Sequence, residues 1–169
     1  TVLPVYREPA LPCSGERKPH TLAHSFYERL SALDAMFLDI EDANVHMHTG
    51  SVAIFEAPPL RGPDGGIDLA LVLAFAEAQI HKSPRLRQKL AHIPWFDQPV
   101  WVDDPHFNLL YHVRHAALPP PGDERQLKRL AGRILSQALD RTKPLWETWL
   151  VDGLEGDRFA TISKLHHCM

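Results

Sequence analysis

The 169-residue chain holds only two cysteines, Cys13 and Cys168. Two thiols so far apart do not make a disulfide framework. The expectation is a pair of free thiols in a reducing cytoplasm. Positive charge is also in short supply: 18 Lys and Arg stand against 21 Asp and Glu, a net charge of −3. That argues against a nucleic-acid partner held by bulk electrostatics. No run approaches the roughly 18 apolar residues of a membrane helix. Attachment to a membrane or lipid-droplet surface would therefore be peripheral. The first residues are mixed and broken by proline, without the pattern of a signal peptide. What is present suits a folded domain: 44% hydrophobic and 23% charged residues, in a length that supports one real core.

Residues 1–28 carry Pro4, Pro9, Pro12 and Pro19 with little apolar periodicity, and read as an extended leader or arm. Folded structure is expected over 29–169. Ser31 suits an N-cap, with Asp34 at the capping-box position, ahead of Leu33, Met36, Phe37 and Ile40 at helical spacing. Gly50 to Glu56 reads as a strand, and Pro63-Asp64-Gly65-Gly66 as a turn. Asp68 can cap a helix with apolar residues on two faces, Leu69, Val72, Leu73, Ala76 and Ile80 against Leu71, Phe75 and Ala78; it should be buried on more than one side. Phe107, Leu109, Tyr111 and Val113 alternate with Asn108, His112 and Arg114, which predicts a strand. Leu127, Leu130, Ala131, Ile134, Leu135 and Ala138 predict an amphipathic helix, and two strands follow, near 145–152 and 158–166. Strands interleave with helices, so the class is α/β or α+β.

The second of those strands delivers His166-His167. Neighbours on a strand point to opposite faces, so one of the pair can enter a given cleft. Histidine suits general-base work, with an unperturbed pKa of about 6.5. The plain alternative for His167 is an exposed terminal histidine. His166 should turn away and hold a backbone partner. Cys168 beside His167 does not suggest a Cys-His nucleophile, because such pairs meet in space and not in sequence. His46-x-His48 and His112-x-x-His115 lack further ligands at zinc-like intervals, so no metal is expected. Pro144-Leu145-Trp146 has no titratable group and should be structural. Trp146 and Trp149, three apart, should face opposite sides of a strand. Arg141 and Lys143 could meet a phosphate, but solvated surface charge is the simpler reading.

Leu139 to Glu147 with its Pro144-Leu145-Trp146, then a strand, then His166-His167, resembles the bacterial wax ester synthase/diacylglycerol acyltransferase family. That family carries Pro-Leu-Trp followed by His-His-x-x-x-Asp-Gly. Leu30 to Leu38 is similar to its opening segment, and Pro99 to Asp104 with Phe107 to Val113 to its middle. The likeness runs in order from Leu30 to Met169. It implies the chloramphenicol-acetyltransferase-like fold, a mixed sheet flanked by helices, of which 29–169 would be the amino-terminal half. The Asp-Gly would lie beyond Met169. It also implies His167 as general base, with His166, Pro144, Leu145 and Trp146 supporting it. The substrates would be acyl-CoA and either diacylglycerol or a long-chain alcohol, with no cofactor beyond the acyl-CoA. The carboxy-terminal half would supply the other wall of an active-site tunnel. Two rivals remain: a condensation domain of nonribosomal peptide synthesis, and a non-catalytic lipid-binding relative.

Overall fold

A computed structural model describes residues 27–93 and 99–169. The arm expected over 1–28 lies outside the described residues up to position 26. Glu28 and Arg29 form a short strand, β1, paired antiparallel with β4 (Val100–Asp103). β3 (Gln88–Ala91) joins the other side of β4 to complete a small antiparallel sheet. The larger sheet is mixed, in the order β2-β7-β6-β5. β2 (His48–Glu56) runs antiparallel to β7 (Arg158–His166), β7 antiparallel to β6 (Trp146–Leu154), and β6 parallel to β5 (Val113–Ala117).

Helices cover both faces of the larger sheet. α4 (Glu124–Leu135) starts at a complete capping box, Asp123 with Gln126, and lays Leu127, Ala131 and Ile134 on Val151, Ala160 and Ile162. α2 (Leu69–Ile80), capped by Asp68, packs Leu69, Val72 and Leu73 against Leu150 and Phe159 on the opposite face. Because strand neighbours alternate, adjacent residues such as Leu150 and Val151 serve different cores. α1 (Ala32–Ile40) caps a third cluster: Ala35 and Leu38 with Trp101, Leu139, Leu145 and Cys168. Its N-cap is Ser31, whose hydroxyl oxygen accepts the Asp34 N–H at 3.1 Å.

Three expectations need correction. Phe107–Val113 is not a strand. A short helix, α3 (Leu109–His112), occupies it, and the strand begins at Val113. The Asn108 carboxamide accepts the Leu110 N–H at 3.0 Å, and this local cap outweighs the alternating pattern. α2 does not bury both faces within the described residues. Leu71 is 50% exposed and Phe75 66%, beside an apolar groove of about 530 Å³ lined by Phe55, Leu60, Phe159 and their neighbours. Arg141 is not simply solvated, as the site shows.

Candidate functional site

β7 ends at His166, and the chain turns there through His167 and Cys168. The two histidines have different surroundings. His166 is 1% exposed, and its Nδ1 accepts the Cys168 N–H at 3.1 Å. That places its proton on Nε2, which faces the Glu41 carboxylate at 3.5 Å, beyond a formed hydrogen bond. Burial depresses the His166 pKa; Glu41 opposes this but does not overcome it. The buried ring is therefore neutral at ordinary pH.

His167 is exposed. Its ring stacks on Phe37 of α1, with centroids 5.0 Å apart, and its backbone N–H donates to the Met47 carbonyl at 2.9 Å. Among the described residues no group hydrogen-bonds its imidazole nitrogens. A held backbone, a stacked ring and free nitrogens suit proton transfer to a ligand. Phe37 belongs to a face of α1 that is open on this side of the molecule: Leu33, Met36 and Ile40 are all exposed.

The Pro-Leu-Trp segment braces this turn from the neighbouring strand. Pro144 and Leu145 are fully buried, and the Leu145 carbonyl accepts the His166 N–H at 3.0 Å. Trp146 donates its indole N–H to the Leu86 carbonyl at 2.8 Å and stacks on His112 at 4.6 Å. Trp149 packs against the α4 core on the other face, as alternation requires.

The remaining histidines serve the framework. His46 and His48 direct Nε2 at the carbonyls of Ser136 and Leu135, at 3.1 and 2.9 Å, which satisfies the carboxyl end of α4. His112 is buried, with Nδ1 2.8 Å from the Trp146 carbonyl. No group of three metal-ligating side chains occurs among the described residues. Burial pushes the Cys168 thiol up to about 12, which leaves it without nucleophilic character at neutral pH. Cys13 lies outside the described residues. Arg141 donates through Nε and Nη2 to one oxygen of Glu41 and, through Nη2, to the Leu38 carbonyl at 2.8 Å. The sequence reading missed Glu41, because no motif distinguishes it from the other acidic residues.

Burial also depresses the pKa of His48 and of His112, as it does that of His166. Below about pH 6.5 the unfolded chain binds protons that these folded rings resist, so stability falls as pH drops. We expect the melting temperature to decline steadily from pH 7.5 to 5.5 in thermal scans. A flat profile, or a rise, would contradict neutral buried rings.

A mixed sheet with helices on both faces, carrying a buried histidine at the end of β7 and an exposed one just past it, has the chloramphenicol-acetyltransferase-like α/β fold. The family model described as the wax ester synthase/diacylglycerol acyltransferase catalytic domain matches residues 30–169. The chain belongs to that family. It is 39% identical over 142 residues to the Mycobacterium tuberculosis protein named "Probable diacyglycerol O-acyltransferase tgs3", covering 83% of this chain and 51% of that one. It is 40% identical over 143 residues to "Probable diacyglycerol O-acyltransferase tgs1" of the same organism, covering 83% and 29%. The chain thus spans about half the length of the first relative and under a third of the second. Among solved structures, the wax ester synthase/diacylglycerol acyltransferase from Marinobacter aquaeolei VT8 superposes with a TM-score of 0.68 at 33% identity, over 83% of this chain and 33% of that one. The first condensation domain of the calcium-dependent antibiotic synthetase reaches 0.66 at 18% identity, over 85% and 33%, a likeness of fold. No helix among the described residues is long and apolar enough to cross a membrane.

Proposed function

We propose that this chain is the amino-terminal, base-bearing half of an acyl-CoA-dependent O-acyltransferase. The observation that carries the reading is the split environment of the histidine pair in a member of this family: His166 is locked in the core, while the exposed His167 has ring nitrogens that no described residue hydrogen-bonds.

His167 takes the proton of the acceptor hydroxyl as that oxygen attacks the thioester carbonyl. The tetrahedral intermediate then collapses, the carbon–sulfur bond breaks, and the leaving thiolate takes the proton back from the imidazolium. The products are an ester and free CoA. A neutral alcohol is a poor nucleophile, and a placed base typically contributes about 10²–10⁴-fold. His166, Pro144, Leu145 and Trp146 hold the turn that carries His167. The reaction needs no cofactor beyond the acyl-CoA substrate. The acceptor is diacylglycerol or a long-chain alcohol, and the setting is the cytoplasm, peripheral to a membrane or lipid droplet. The carboxy-terminal half is the essential partner; nucleic acid is not.

The test is product analysis. The full-length enzyme, given palmitoyl-CoA with diacylglycerol or hexadecanol, should form triacylglycerol or wax ester. Transfer to amine acceptors alone would favour the condensation reading. Lipid binding without turnover would favour the non-catalytic relative.

A further inference from the structure

The turn that carries His167 is held at its backbone and at its ring, and both holds lead back to one carboxylate. Glu41 is the residue that ends α1, and its side chain is only 8% exposed. Its Oε1 accepts the Met47 N–H at 3.1 Å, and the carbonyl of Met47 accepts the His167 N–H at 2.9 Å. Its Oε2 accepts Nε and Nη2 of Arg141 at 2.9 and 2.6 Å. The same Nη2 reaches the Leu38 carbonyl at 2.8 Å, in the last turn of α1, next to the Phe37 on which the His167 ring stacks. Nε2 of His166 faces Oε2 as well. One carboxylate thus ties together the end of α1, the backbone that enters β2, the loop before β6 and the histidine turn.

We propose that Glu41, gripped by Arg141, is the positioning residue for His167 in acyl transfer. The proposal rests on the reading of His167 as the general base. Glu41 does not contact the ring of His167. It acts through the Met47 carbonyl on one side and the Phe37 platform on the other. Burial alone would raise the Glu41 pKa, but the hydrogen bonds from Arg141 and Met47 outweigh it and hold the carboxyl below its usual range. The group is therefore ionised wherever a neutral imidazole can act. Neither partner has an equivalent substitute. Gln at position 41 keeps an acceptor for Met47 but loses the charge that holds Arg141. Lys at position 141 is a point charge without the planar fork that meets Glu41 and Leu38 together. A small error in the direction of the base is costly, since misplacement on the order of 1 Å can cost about 10² in rate.

The experiment uses the full-length enzyme with Glu41→Gln, Arg141→Lys and His167→Ala, assayed well below their melting temperatures. His167→Ala also identifies the His167 imidazole signal in a ¹H–¹³C spectrum by its disappearance. For Glu41→Gln and Arg141→Lys we expect kcat to fall about tenfold or more, with KM for palmitoyl-CoA within about twofold, as lost positioning requires. The His167 signal should shift or broaden in both. An unchanged kcat with an unmoved signal would overturn the proposal, as would a loss of rate that only follows the unfolded fraction. Retained turnover in His167→Ala would overturn the reading of the base instead, and the imidazole signal would then decide the clamp by itself.

Discussion

His167→Ala in the full-length enzyme should abolish acyl transfer while leaving the melting temperature nearly unchanged. The ring is exposed, and its one described contact is the stack on Phe37. The hydrogen bond to Met47 uses the backbone N–H, which alanine retains. Little stability should therefore depend on the imidazole. Its removal takes away the group that would accept the hydroxyl proton, and such groups typically supply about 10²–10⁴-fold. His166→Ala should behave in the opposite way. It leaves a cavity in the core and strips the Cys168 N–H of its acceptor, so the melting temperature should fall further than in His167→Ala. More than about a tenth of wild-type turnover in His167→Ala would contradict a role on the scale expected of a general base.

Glu147→Ala should be strongly destabilising. Glu147 and Lys164 face each other across β6 and β7, and Lys164 Nζ lies 2.7 Å from Glu147 Oε1. The Lys164 side chain is only 1% exposed, and its other partner is the Gln137 carbonyl at 2.8 Å. Arg114 stands farther off, 3.9 Å from Glu147 Oε2. Without Glu147 the ammonium is left in the interior with one neutral acceptor. Breaking a buried pair from one side typically costs about 3–5 kcal/mol. Replacing both partners, as Glu147→Leu with Lys164→Met, should recover most of that loss, since apolar packing often matches a buried pair. Urea unfolding of the two variants checks this. A single-variant loss under about 1 kcal/mol would show that the pair is better solvated than its burial implies.

Much of this site was legible in the sequence, because its main parts are local. His166 and His167 were expected on opposite sides and are, although His167 lies in the turn just past the end of β7, and Pro144-Leu145-Trp146 lies at the start of the neighbouring strand, paired antiparallel with β7. Asp68 and Ser31 announced their helices through cap chemistry that acts within three residues. The reading failed where distant contacts decide. Residues 107–113 alternate like a strand, but Asn108 caps a helical turn and His112 anchors to Trp146, 34 positions away. Glu41 and Arg141 are 100 positions apart, and neither shows by composition that it would meet the other. The apolar face of α1 was visible, but the spacing of Leu33, Met36 and Ile40 does not reveal that they stay exposed beside the histidine turn.

The most direct test of the account is complementation between two purified polypeptides: this chain, and the remaining length that its relatives carry. Each is assayed alone and together for ester formation from palmitoyl-CoA with diacylglycerol or hexadecanol. This chain alone presents His167 on an open surface, and a base acts only when both substrates are held about 3 Å from it. The account predicts no ester from either polypeptide alone, ester from the mixture, and none when the mixture carries His167→Ala. Ester formed by this chain alone, or by the mixture with His167→Ala, would contradict it.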